Sequence, residues 1–510
     1  MELIKNTVNI CETGARGTTR AMADGDVIVP DIKPDILKII QVDANACITD
    51  KYMENGKVII CGRVDYKVLY IPDKENEKIK SILTSMEFRQ AADGGGSQPG
   101  SAIIAAASVD RAEFSAVNSR KLRLRAIVCI DYEVCQIRER EICSGVCDRE
   151  VQTKMIGMNF ENTVEISCHD FTIKEMLEIP PGQTSAAELL KTDVRISDTE
   201  YKTVSGKVIV KGNAGVCILY TDTGGDIKFI EMDIPFTEVF DTDGAGEETI
   251  FDIDYSLLGV MCEMQPDSDG DMRIAEVDID ICAALRGVET VEEEVLCDCF
   301  VPNMKTHCVS EKINVTETVE RPSLQNTIRE IIDFPSDVPK VSGVYNVMCD
   351  AVIARAEPER GKIICEGKID AYILYLTESE ENPVYSIKKE IPFSYMIECE
   401  NAAKGFDIGA KAEVKHISYS LNSAGGLELR CLLEIDAKLL KKTETDNIIS
   451  VETEPIEGSR GIVIYFVKKG DVLWDIAKRY SVPCEKITHY NGLEDENITA
   501  GSKLFIPSCS

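Results

Sequence analysis

The sequence predicts a mainly β protein, with three tandem β-rich, sandwich-like repeat domains followed by a small β-α-α-β module. Three observations predict it. A fifteen-residue phrase is written three times, as GKVIICGRVDYKVLY from Gly56, GKVIVKGNAGVCILY from Gly206 and GKIICEGKIDAYILY from Gly361. Within it Arg63, Asp65 and Lys67 alternate with Val64, Tyr66 and Val68, the period of a half-buried strand, and the other copies are as rich in β-branched residues. After residue 461 the character changes: Leu473, Ile476, Ala477 and Tyr480 form the stripe of an amphipathic helix between strand-like segments.

Each copy opens on a glycine (Gly56, Gly206, Gly361), carries a second one six residues on (Gly62, Gly212, Gly367) and closes on Leu-Tyr at Tyr70, Tyr220 and Tyr375. A proline stands 26 residues before the phrase each time (Pro30, Pro180, Pro335), and a phenylalanine follows it (Phe88, Phe236, Phe393). Constant spacing over so wide a window implies duplication of a whole domain rather than reuse of one strand. Turn chemistry at Glu54-Asn55-Gly56, at 223–226, at 267–271 and at 422–426 predicts hairpins between the strands. The repeats are therefore placed at residues 1–150, 155–305 and 310–442, the first with a loop-like insert at 92–100. Short helical turns suit 31–39 and 185–191. The polar, acidic stretch 443–461 reads as a linker, and the final module covers 462–507.

A chain of 510 residues with 44% apolar content can bury several cores. It has no apolar run long enough for a transmembrane segment, and MELIKNTVNICETGARG lacks the basic and apolar regions of a signal peptide, so a cytosolic protein with reduced thiols is expected despite 20 cysteines. The net charge of -32 argues against nucleic acid as a partner. Residues 462–507 balance six basic against six acidic side chains, so the acidic surplus belongs to the repeats, where a solvated surface aids solubility.

No catalytic residues are expected, and the protein is read as not an enzyme. His169, His307, His416 and His489 lie in different segments, and 14–20 lacks the Gly-Lys-Ser/Thr ending of a phosphate loop. Asp267, Asp269 and Asp271 suggest a calcium loop, but Gly270 is misplaced for one, which favours a turn. Cys297, Cys299, His307 and Cys308 are the weak candidates for a metal site. Cys-x-Cys is not the usual zinc spacing, so structural thiols and no cofactor are expected.

Residues 465–507, YFVKKGDVLWDIAKRYSVPCEKITHYNGLEDENITAGSKLFIP, resemble the LysM domain at nearly every station of its motif. The resemblance implies a βααβ fold whose loops bind a partner or glycan through Val467, Lys468, Gly470, Asp471, Val472, Leu473, Trp474, Asn491, Leu493 and Ile498. Val472 stands where the family commonly has Thr, which removes a hydroxyl from the glycan groove and favours a protein interface. Because the inward stripe is already supplied, Trp474 is expected to face outward as its anchor. The G-K-[VI]-I phrase with its later Leu-Tyr, three times ahead of a LysM domain, resembles the SipL-type spore-coat morphogenetic proteins with their β-rich SPOCS domains. That resemblance implies a nonenzymatic scaffold in the mother-cell cytoplasm, at the forespore surface and spore coat. It would dock through LysM on a SpoIVA-like coat base-layer protein and recruit other coat proteins; the alternative is a cell-wall protein binding the N-acetylglucosamine of peptidoglycan.

Overall fold

In the computed structural model, which describes residues 1–507 apart from 75–76, 149, 335–339, 380–382, 424 and 457–460, every repeat is a pair of antiparallel sheets packed face to face. The first has six strands: β1 (Leu3–Ile28), β2 (Ile36–Glu54), β3 (Lys57–Pro72), β4 (Lys80–Asp93), β5 (Ala102–Asn118) and β6 (Lys121–Val146). One sheet is ordered β2-β3-β4, the other β1-β6-β5. The second repeat copies this with β7 (Gln152–Glu178), β8 (Ala186–Val204), β9 (Lys207–Asp222), β10 (Ile227–Asp241), β11 (Ile250–Pro266) and β12 (Met272–Phe300). In the third, the opening strand is split into β13 (Met304–Glu320) and β14 (Ser323–Ile332) at Pro322, which has no N–H for the ladder; both halves pair with β19 (Leu427–Pro455). Its remaining strands are β15 (Val341–Glu359), β16 (Lys362–Thr377), β17 (Val384–Glu398) and β18 (Asp407–Leu421).

The repeated phrase is the central strand of one sheet in each repeat, as β3, β9 and β16. Its first glycine turns the hairpin with φ of +76°, +75° and +78°, the left-handed region that glycine enters at no steric cost. Its second glycine lies directly opposite the following phenylalanine: Gly62 pairs with Phe88, Gly212 with Phe236 and Gly367 with Phe393. A Cβ at these glycines would come within 2.4, 2.6 and 2.5 Å of the ring, so each glycine makes the room that the aromatic ring fills.

Two expectations are corrected. Residues 443–455 are not a linker but the end of β19, paired with β13. Their polar composition hides an alternation that buries Thr445, Asn447, Ile448 and Val451; Asn447 accepts the Cys143 backbone N–H at 2.9 Å and donates to the Glu141 carbonyl at 3.0 Å. Residues 457–460 lie outside the described residues. The short helical turns are also absent: 186–191 is the start of β8, and a turn after Pro30 leads straight into β2, because ladder pairing overrides weak local preference. Pro180 makes the same turn, whereas Pro335 lies outside the described residues.

The three repeats close on one another. Tyr70, Tyr220 and Tyr375 sit in the cores of their own sandwiches. The preceding residues Leu69, Leu219 and Leu374 point to the opposite face and meet in one cluster with Ile79, Leu190 and Tyr345, to which all three repeats contribute. A second shared cluster joins Val8 and Ile142, Met158 and Phe160, and Ile313 and Val315. A cleft of about 1800 Å³ lined by acidic and basic side chains of all three repeats lies in the same assembly.

An ionic network also crosses the boundary between repeats. Lys191, with a side chain only 5% exposed, contacts Asp43 of the first repeat and Asp193 at 2.8 Å, and Lys67 of the first repeat reaches Asp193 at 3.1 Å. Burial disfavours both charges, but the opposite charges more than offset it, so the Asp193 carboxyl lies below its ordinary range and the Lys191 ammonium above its own. Their stabilisation is therefore fully present between about pH 4 and pH 10.4. It fades as pH falls through the depressed carboxyl value or rises through the elevated ammonium value. Asp193→Ala, which takes the carboxylate from Lys67 and leaves the buried Lys191 with Asp43 alone, is expected to cost about 3 kcal/mol in denaturant unfolding. Asp193→Asn should flatten the acid limb of stability against pH; an unchanged limb would show that the network does not bear on folding.

Candidate binding site on the C-terminal module

The last module consists of β20 (Val463–Phe466), α1 (Leu473–Tyr480), α2 (Cys484–Asn491) and β21 (Lys503–Ile506). Val467, Leu473, Ile476, Ala477, Cys484, Ile487, Leu504 and Ile506 form its core, and Phe300 from the end of β12 belongs to the same cluster. Two expected contact residues, Val467 and Leu473, are thus buried and hold the module together. Asn491 is structural as well: its amide donates to the Ile487 and Phe505 carbonyls at 2.8 and 2.7 Å and its Oδ1 accepts the Phe505 N–H at 2.7 Å, tying α2 to β21.

The loop before α1 is built on Asp471. Its carboxylate accepts the Lys468 backbone N–H and the Tyr465 hydroxyl, both at 2.8 Å, and these bonds, the backbone one foremost, hold its carboxyl below the usual carboxylate range. Gly470 turns this loop with φ +91°. Lys468, Gly470 and Val472 stand exposed, while Leu493 and Ile498 pack from the second loop against the core. Val472 occupies the N-cap of α1 in an extended conformation and supplies no side-chain cap, so the first turn lacks the bond that a hydroxyl there makes.

Trp474 corrects the expectation of a free anchor. Its ring meets Phe300 edge to face at 5.2 Å, and its Nε1–H donates to Asp298 at 2.8 Å. Lys478 of the same helix also bonds Asp298, and beyond the helix the Ser481 hydroxyl donates to the Met304 carbonyl at 3.0 Å while its own carbonyl accepts the Asn303 N–H at 3.0 Å. The chain's single tryptophan therefore seats the module on the corner between the second and third repeats. The reason is tertiary: its partners lie more than 170 residues away in the chain.

What stays open is the outer face of the β20-β21 pair, where Ile464, Phe466 and Phe505 are 55, 58 and 42% exposed. Ile464 and Phe505 are directly opposed in the ladder, and the Lys503 ammonium lies 5.7 Å from the Phe466 ring centre. The strand alternation in Val463-Ile464-Tyr465-Phe466 was the signal that could have found this face. Of the zinc candidates, Cys299 and Cys308 approach to 3.5 Å, whereas Cys297 donates to the Lys154 carbonyl and His307 is exposed. Among the described residues no group of three or more possible metal ligands comes together.

Fold and site together define a chain of three β-sandwich repeats that carries a small binding module on their shared corner. Family models identify both parts: the SipL SPOCS domain matches residues 35–117, 185–265 and 340–422, and the LysM domain matches 465–507. The chain is therefore a SipL-type protein, with three SPOCS domains ahead of a C-terminal LysM domain. Both are binding rather than catalytic domain families. No curated protein and no solved structure matches the chain. Among the described residues no helix is long and apolar enough to cross a membrane.

Phe300→Ala is expected to unseat the module at a cost of about 3 kcal/mol, read as a red shift of Trp474 emission and faster proteolysis ahead of residue 462. Val472→Thr should add the missing cap and raise the module's stability by about 1 kcal/mol, measured by calorimetry of the full chain.

Proposed function

We propose that this chain is a nonenzymatic scaffold of spore-envelope assembly, working in the mother-cell cytoplasm at the forespore surface. Its LysM domain docks on a coat base-layer protein of the SpoIVA type, and its SPOCS repeats hold further coat proteins. One observation carries this reading: the LysM domain is clamped to the repeats through Trp474 and presents an apolar face of Ile464, Phe466 and Phe505 to the outside, with the Lys503 ammonium over the Phe466 ring. Such a face suits a protein partner, since apolar and aromatic side chains dominate binding energy once buried. It offers few of the polar groups that a sugar needs. The LysM match itself supports a second reading, in which the loops around Gly470, Asp471 and Ile498 bind N-acetylglucosamine.

The test is to immobilise the full chain and offer it a purified SpoIVA-type protein and, separately, peptidoglycan sacculi. Retention of the base-layer protein, weakened about tenfold or more by Phe466→Glu with the fold intact, is expected. Retention of sacculi alone, indifferent to that substitution, would replace the scaffold reading with the glycan one.

A further inference from the structure

The corner that seats the LysM domain also holds a thiol pair. At the end of β12 the chain leaves a sheet of the second repeat, turns through 301–303 and enters β13 of the third. Cys299 and Cys308 face each other across this corner with their sulfurs 3.5 Å apart, and Cys308 also donates to the Cys299 carbonyl at 3.2 Å. Cys299 is buried in a cluster with Leu296, Ile448 and Val451, while Cys308 is partly open to solvent. The neighbouring residues Asp298 and Phe300 hold Trp474.

From this geometry we propose that Cys299 and Cys308 form a redox-active dithiol, closed to a disulfide by a hydroperoxide, whose state reaches the LysM domain through Phe300 and Trp474. This stands apart from the docking reading, because it concerns the corner and not the exposed face. Contact with the Cys299 thiol, aided by the Lys478 ammonium, pulls the Cys308 thiol below its ordinary value against the effect of burial, so Cys308 is the sulfur of the pair that forms the thiolate first. That thiolate attacks one oxygen of hydrogen peroxide. The O–O bond breaks, one water leaves, and Cys308 becomes a sulfenic acid. The Cys299 sulfur then displaces the oxygen as a second water while the S–S bond forms. Two thiols and one peroxide give one disulfide and two waters, the sulfurs losing the two electrons that the peroxide gains. Closing the gap to the bond length of about 2.05 Å draws β12 and β13 together beneath Phe300.

Lys305 lies between the two cysteines, so trypsin separates them onto peptides 287–305 and 306–312. Full-length reduced protein is treated with hydrogen peroxide, blocked with N-ethylmaleimide, digested and analysed by mass spectrometry. The two peptides should emerge joined from wild type and from Cys297→Ser, and separate from Cys299→Ser and Cys308→Ser. Emission of the chain's one tryptophan should change on oxidation in the first two proteins and stay constant in the last two. Free, alkylatable Cys308 after treatment that exhausts the exposed thiols, or a link lost in Cys297→Ser, would overturn the dithiol. Joined peptides with unchanged emission would overturn its reach to the LysM domain.

Discussion

The architecture depends on one constraint, the two-sided burial of the Leu-Tyr pair that ends each repeated phrase. Along most of β3 and β9 the burial alternates, then at Leu69-Tyr70 and Leu219-Tyr220 both faces are covered. Neighbouring side chains on a strand point to opposite faces, so Tyr serves the core of its own sandwich and Leu cannot. Each leucine is removed from water in a cluster built by its own repeat and the other two together, a gain of about 1.5–3 kcal/mol apiece. A single repeat would lack the part of that cover which its two partners supply. Triplication within one chain thus gives each repeat packing partners, and Asp193 with its two lysines ties the first and second repeats electrostatically.

The closed arrangement also makes a platform. The ends of β6, β12 and β19 converge in a cluster that includes Cys143, Leu296, Cys299 and Ile448, and the LysM domain stands beside it. A tethered module on a flexible linker would search for its partner; a module held by Phe300, Asp298 and Ser481 meets it in a fixed orientation and has less freedom to lose on binding. The cost is that Trp474 is spent on the internal contact, which leaves the outer face of β20 and β21 for other proteins.

Much of the fold was legible because it rests on local rules. The glycine that opens each phrase could be read as a hairpin turn, and the second glycine and the later phenylalanine could be seen to keep step. That they stack on one another could not, because it needs the strand register that pairs Gly62 with Phe88. Residues 443–455 misled for the same reason: their acidic composition is that of a linker, and only the partner strand β13 reveals which side chains turn inward. The LysM motif placed Gly470 and Asp471 in the turn they make, yet the role of Trp474 was invisible in a motif that does not include Asp298 and Phe300.

The sequence by itself determined that there are three equivalent β domains and one βααβ module, since strand alternation, turn glycines and the helical stripe act over a few residues and survive in any context. Only the tertiary structure decided that the repeats close around shared leucines, that the module is clamped to their corner, and that Cys299 and Cys308 meet while Cys297 and His307 do not. The physical reason is that burial, ion pairing and thiol contact depend on atoms brought together from distant parts of the chain, and no periodicity within a strand records which distant surface will cover it.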